Sequence, residues 1–459
     1  MLSPDRFFDP EPTHKTAALE IYEAIKALPI LSPHGHVDPA IFANPNYHFS
    51  NPYQLLVQSD HYILRMLFSH GMPYEKLLSD IDPEGNWQTF CEHFYLFRAT
   101  PSGLWLDYTL QEVFGFEPPL NSHTAAQAYA FITDKLAQPA FSARSLFKQF
   151  NIEVLATTDP AYDTLPHHQA IRGSGWQGRI IPTFRADSLV KITDPHWLGQ
   201  LSALSAASKV DIIDYNSFIR ALEKQREFFK SLGAVACDLS FPKTSAFTLP
   251  DSTVEAIFQR ALASSASTAD QEQFAAHMMM TFARMSSEDG LVMMMHNDVY
   301  RNYDSALFTR FGPDLGFDIP RQVEYTRNLL PLLNAFGKHP KFNLVLFCLD
   351  ESAYTRELAP LAGAYPAVKL GAPWWYQDSW QGMQRYLNAV IEIAGVYNTS
   401  GFVDDTRNLV SIPARHDLWR RAATNWLAGL KVRGMISQVE AIEIATALAY
   451  NLAKQVYKL

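Results

Sequence analysis

Leu28-Pro-Ile-Leu31-Ser-Pro-His34-Gly-His36-Val-Asp-Pro39 is the stretch on which the fold turns. Its apolar beginning reads as a short buried strand that delivers two histidines separated by one residue. Side chains alternate faces along a strand, so His34 and His36 point the same way, about 7 Å apart. Two imidazoles so placed can converge on a divalent cation at the strand's end. Pro39 stops the strand, because proline cannot donate to the ladder. Taken alone, a His-x-His is more often a pair of polar residues in an exposed turn. The surrounding chain has to decide.

Upstream, Thr16 to Leu28 carries Ala18, Leu19, Tyr22, Ile25 and Leu28 on one helical face, behind an N-terminal arm over residues 1–14. Downstream, residues 53–150 are helical and aromatic with no convincing strand. Within them Ser59-Asp-His61-Tyr62-Ile-Leu-Arg65 starts a helix with a good cap residue and puts His61, Tyr62 and Arg65 together. After residue 150 strands and helices alternate. The strands expected are 152–158, 179–184, 234–240, 291–296, 342–349, 367–370 and 401–405. The helices expected include 213–232, 252–264, 269–288, 321–337, 351–362, 379–395 and 416–432. Such alternation implies a parallel sheet, and eight strand–helix units suggest a closed (β/α)8 TIM barrel rather than an open sheet. The organisation expected is one α/β barrel domain over 1–459, with residues 53–150 inserted after the first strand as a helical lid.

Chemistry in such a barrel gathers at the C-terminal strand ends. Reading them in order gives His34 and His36, then Asp159, Arg185 with Asp187, Asp238, His296 with Arg301 close behind, Asp350, Trp374-Trp375, and Asp405 with Arg407. First and eighth strands are neighbours in a barrel, so His34, His36 and Asp405 can meet. Two neutral imidazoles and a carboxylate suit zinc, with manganese, cobalt or ferrous iron as alternatives, and leave a position open. Arg185, Arg301 and Arg407 can grip a carboxylate with paired hydrogen bonds. His61 and Tyr62, overhanging the barrel mouth beside Arg65, can move protons.

Bulk composition narrows the class. The 459 residues, 47% hydrophobic and 13% aromatic, suffice for a large core, and the net charge of −9 argues against nucleic acid or an anionic membrane as partner. Three cysteines, odd in number and far apart, are not a disulfide framework and fit a reducing cytoplasm. The N-terminus has no basic region leading into an apolar core, so no signal peptide is expected, and no apolar run approaches the length of a membrane span.

At these residues the chain resembles the uronate (glucuronate) isomerases of the amidohydrolase superfamily. The similar blocks are His34-Gly-His36, Asp60-His61-Tyr62 with Arg65, Ala156-Thr-Thr-Asp-Pro160, Phe184-Arg185-Ala-Asp187, Met295-His296 and Arg301-Asn302. They continue through Trp374-Trp375-Tyr376 with Asp378, Asp405-Thr-Arg407 and Arg415-His416. The resemblance implies that His34, His36 and Asp405 hold one divalent metal per chain, zinc first. It implies that His61, Tyr62 and Arg407 serve ring opening and proton transfer, with His34 and Asp405 also catalytic. Arg185, Arg301, His296, Trp375 and Arg65 would bind substrate. The reaction implied interconverts D-glucuronate with D-fructuronate and D-galacturonate with D-tagaturonate through a cis-enediol, in a cytoplasmic homo-oligomer. An arginine beside Tyr62, Arg407 by this reading, would lower the phenol's pKa from about 10. One departure is Leu239 after Asp238, where many relatives carry histidine. The competing readings are a metal-dependent hydrolase of a sugar-acid lactone or amide, and a sugar-acid-binding protein without activity.

Overall fold

The structure is a computed structural model that describes residues 2–459. Its strands are short, wholly or largely buried runs, as expected where helices cover a parallel sheet. They are β1 (Ile30–Ser32), β2 (Ile152–Ala156), β3 (Arg179–Ile181), β4 (Ala236–Leu239), β5 (Val292–Met295), β6 (Leu344–Leu346) and β7 (Val368–Leu370). Every ladder among them is parallel. Leu31 faces Val154, Leu155 faces Ile180, Leu239 faces Met295, and Leu344 lies between Met293 and Val368. β2 and β3 are each interrupted and resume as Asp159–Pro160 and Phe184–Arg185. The break in β3 falls at Pro182, which has no N–H to give a ladder. The resumed pieces pair with each other, and Phe184 pairs with Cys237 of β4, so the broken strands join both sheets into one curved array.

The eighth strand expected at 401–405 is not a regular strand. Its backbone meets its neighbours' backbone at the two ends: the Ser400 N–H donates to Leu370 O at 2.8 Å, and the His36 N–H donates to Thr406 O at 2.8 Å. It thus lies between β7 and the chain just past β1. The cause is local. Gly401 has φ +75°, where a Cβ would meet the Ala453 nitrogen at 2.8 Å, and Asp405 has φ +43°. Left-handed backbone at both ends cannot continue a ladder.

Between β1 and β2 the chain is helical, and its aromatic residues, among them Trp87, Phe90, Phe97 and Phe114, form a core of their own against Ile30, Ile152 and Leu155. Several helix ends differ from expectation, among them the four-residue-late start at Tyr325 and the break at Leu329 of the helix expected at 321–337. The first helix begins at Pro12, four residues early, because Pro12 suits the first turn and Glu11 accepts from the His14 N–H at 2.7 Å. The helix His61–Ser69 is capped by Asp60, which accepts from the Tyr62 N–H at 2.8 Å, while Ser59 donates backwards to Leu55 O. The helix expected from 416 starts at Ile412 and is buried along nearly its whole length, carrying Arg415 and His416 inward. No helix among the described residues is long and apolar enough to cross a membrane.

Candidate active site

A cavity of about 390 Å³ opens where the strands end. His34 and His36 lie just past β1, which ends at Ser32, with a bend at His34; their ring centroids are 5.2 Å apart. Their Nε2 atoms lie 3.3 and 3.1 Å from one atom, Asp405 Oδ1. Burial favours a neutral Asp405 carboxyl, but the two imidazoles outweigh it and hold the group ionised, well below the usual carboxylate range. Asp405 keeps its left-handed backbone here, and strain of that kind persists where surrounding structure enforces it.

His296, at the end of β5, stacks on His34 with centroids 4.5 Å apart, and its Nδ1 is 2.7 Å from Asp238 Oδ1. Two buried polar atoms in this cluster, His34 Nδ1 and His296 Nε2, have no hydrogen-bond partner, while Asp405 Oδ1 meets only the two imidazoles. Such atoms cost free energy unless something else satisfies them. His34, His296 and Asp405 can each present one ligand atom with all three within 4.8 Å of one another. A nitrogen-rich set with an ionised carboxylate and orphaned polar atoms fits a divalent cation. Of the residues expected to hold a metal, His34 and Asp405 stand in this group together with His296, expected to meet substrate; His36 reaches the same Asp405 oxygen at 3.1 Å but is not one of the three.

The arginines are present and already paired. Arg185 Nε donates to Asp187 at 2.8 Å, Arg301 to Asp318 at 3.1 Å and to Ser240 Oγ at 3.1 Å, and Arg407 lies 3.1 Å from Asp314. Arg301 also lies over the Trp375 ring, 4.7 Å from its centroid. Arg65 does not line the cavity; it stacks on Tyr376 at 4.7 Å.

His61 and Tyr62 enter from the first turn of their helix, stacked on each other at 4.7 Å. Arg407 Nη1 donates to His61 Nδ1 at 3.2 Å, which places the ring's own proton on Nε2. Burial, helped by Arg407, pushes His61 down to about 3, so it is neutral throughout the working range. The expected partnership of Arg407 with Tyr62 is not what the structure holds. The Tyr62 hydroxyl lies 3.5 Å from Asp378, and burial together with that carboxylate raises the phenol well above 10 instead of lowering it. The guanidinium whose field opposes this shift is Arg415, bonded to Asp378 at 3.1 Å.

The segment after β5 folds over the cavity. Val299–Tyr300 pairs antiparallel with Ile319–Pro320, and the intervening chain brings in Asp314 and Asp318, which no motif in the sequence singles out. It docks through Gly316 (φ +87°), where a Cβ would meet His61 O at 2.6 Å and Arg65 Cβ at 2.8 Å, and through Tyr74 Oη, which donates to Leu315 O at 2.6 Å. Gly316→Ala is therefore expected to undock this segment at a cost of about 1–3 kcal/mol. KM for substrate should then rise by about tenfold or more, with little loss of global stability. An unchanged KM would mean the cover plays no part in binding.

The matching family model is glucuronate isomerase, over residues 12–457. The uronate isomerase of Nostoc punctiforme is 51% identical to this chain, covering 100% of it and 98% of the relative, and that of Sphingopyxis alaskensis is 44% identical over 100% and 99%. Among solved structures, the glucuronate isomerase of Caulobacter crescentus superposes with TM-score 0.98 at 41% identity, covering 100% of this chain and 97% of that one.

Proposed function

Because this chain belongs to the glucuronate isomerase family and interconverts aldose and ketose uronates, we propose a division of labour among its cavity residues. D-Glucuronate with D-fructuronate, and D-galacturonate with D-tagaturonate, are the pairs we assign. In the open-chain aldose the aldehyde makes the neighbouring C2 proton acidic. Tyr62, as phenolate, takes that proton and leaves a cis-enediol, then returns it to C1 to give the ketose. His61, neutral with its proton on Nε2, is placed to exchange protons with the sugar oxygens during ring opening and enolisation. Arg185, Arg301 and Arg407 hold the carboxylate end, Arg407 also fixing the His61 tautomer. His34, His36 and Asp405 are the ligands we assign to one divalent cation, zinc by its taste for nitrogen donors, which when bound would polarise a substrate oxygen. We place the enzyme in the cytoplasm as a homo-oligomer; its three free, buried cysteines suit a reducing compartment.

One observation carries this reading: a single cavity is lined by the His34–His36–Asp405 cluster, by Arg185, Arg301 and Arg407, and by His61 and Tyr62. The test is direct. Purified protein incubated with D-glucuronate or D-galacturonate should yield a ketose of unchanged mass. A product heavier by one water, formed from a lactone or amide instead, would replace isomerisation with hydrolysis.

Substrate charge gives a second check. Each candidate arginine is neutralised by a carboxylate of the chain itself, so an incoming carboxylate must compete for it. Arg301→Met removes a charged hydrogen-bond donor of the kind that contributes about 1.5–3 kcal/mol. KM for uronates is expected to rise by about 10–100-fold, and uncharged glucose should be a poor substrate for the unaltered enzyme. Equal kcat/KM for glucose and glucuronate would remove the arginines from substrate recognition.

A further inference from the structure

Asp378 follows the double tryptophan and is buried behind the cavity. Its Oδ2 receives Arg415 Nη1 at 3.1 Å and lies 3.5 Å from the Tyr62 hydroxyl, while its Oδ1 is buried with no partner. Arg415 is itself immobilised. It donates to Asp404 O at 3.2 Å and to Ser411 Oγ at 3.2 Å, and its guanidinium lies 3.7 Å from the centre of the Trp105 ring. Trp105 in turn meets the Tyr62 ring edge-on at 6.0 Å. A carboxylate half satisfied in a buried place is costly, and a chain keeps such a group for a reason. A tie between the 374–378 segment and the last long helix would be served better by a carboxylate with both oxygens bonded.

We propose that Asp378, clamped by Arg415, is a positioning residue for the isomerisation: it accepts the hydrogen bond of the Tyr62 hydroxyl and takes up that proton as the phenolate forms. The inference rests on Tyr62 being the proton carrier. The Tyr62 Oη–H bond breaks and its proton passes to Asp378 Oδ2. The phenolate then takes the C2 proton, and the C2–H electron pair becomes the C1=C2 double bond of the enediol. The aldehyde π pair moves onto O1, which takes a proton from His61 Nε2. As C1 is reprotonated, the O2 hydroxyl proton returns to His61 and its electron pair forms the C2 ketone. The same tyrosine delivers the proton to C1, and Asp378 returns the hydroxyl proton at the end of the cycle. Burial, against the pull of Arg415, raises the Asp378 carboxyl to about 7, where it can both receive and release a proton. The 3.5 Å separation is long for such a bond, and catalytic contacts of this kind commonly tighten only with substrate in place.

The experiment is a double-mutant cycle with Asp378→Asn and Tyr62→Phe, read as kcat, KM and exchange of the substrate C2 hydrogen with deuterated solvent. Asp378→Asn keeps the shape and the Arg415 contact but cannot take the proton. It is expected to lower kcat on the order of 10²-fold, with KM within about threefold and exchange falling in parallel. In a Tyr62→Phe background the same change should cost less than about threefold, because its route of action is gone. Full additivity of the two changes, or an Asp378→Asn enzyme as fast as wild type while Tyr62→Phe is slow, overturns the proposal and leaves Tyr62 standing. An active Tyr62→Phe enzyme overturns the reading beneath it. If Asp378→Asn does not fold, Arg415→Lys, which loosens the clamp and keeps the charge, takes its place in the same cycle, where non-additivity with Tyr62→Phe supports the proposal and additivity overturns it.

Discussion

Replacing Tyr62 by phenylalanine is expected to lower kcat for uronate isomerisation by about 10²–10⁴-fold, the usual cost of losing an acid–base group. Folding and metal content should not change. The substitution is clean because the ring's surroundings are insensitive to it. Tyr62 stacks on His61 and meets Trp105 and Tyr376 edge-on, and phenylalanine preserves all three contacts. Only the hydroxyl is lost, and its hydrogen-bond partner is Asp378. A tyrosine that merely packed the cover would therefore lose little. Exchange of the C2 hydrogen with solvent should fall together with turnover, since both need the same proton transfer. Turnover within about threefold of wild type would assign the proton to another group. His61 is the next to test, since it is neutral and beside Tyr62 in the same turn of helix.

The contrast between Arg407 and Arg415 shows where reading the chain stops working. His34-Gly-His36 is legible because the two rings are close in the chain, although β1 ends at Ser32 and the bend at His34 replaces the strand alternation the spacing suggests. Most strands are legible for the same reason, as apolar runs between amphipathic helices. The Tyr62–Asp378 contact joins residues 316 apart, and nothing in the pattern around either announces the other. Arg407 is the natural partner for Tyr62 on proximity to Asp405, yet the fold spends it on His61 and Asp314. Asp314 and Asp318 are invisible in the sequence because their segment leaves the barrel and returns, and only its docking at Gly316 gives their carboxylates a place. The last strand escapes for a different cause. Gly401 and Asp405 adopt left-handed backbone, which an extended-looking sequence does not disclose, and that same turn at Asp405 sets its carboxylate against both imidazoles.

His36→Ala and Asp405→Ala are expected each to lose bound divalent metal on purification and to lose most isomerase activity with it. The argument is one of charge and convergence. Both imidazole Nε2 atoms approach the same Asp405 oxygen within 3.3 Å, so removing either partner leaves a ligand set of low charge or too few donors. Asp238 offers a graded control, because it lies behind His296 Nδ1 at 2.7 Å and fixes that ring's orientation. Loss of the hydrogen-bond partner behind a liganding histidine typically weakens metal binding by about 10–100-fold. If His296 joins His34 and Asp405 in holding the ion, Asp238→Asn should show an affinity loss of that size in a chelator competition. If His296 meets only substrate, Asp238→Asn should raise KM and leave the metal in place. Elemental analysis of the two alanine variants settles the primary assignment: a full equivalent of metal retained in both would place the ion elsewhere. The unpaired His34 Nδ1 and His296 Nε2 would then be buried polar atoms without a function to account for their cost.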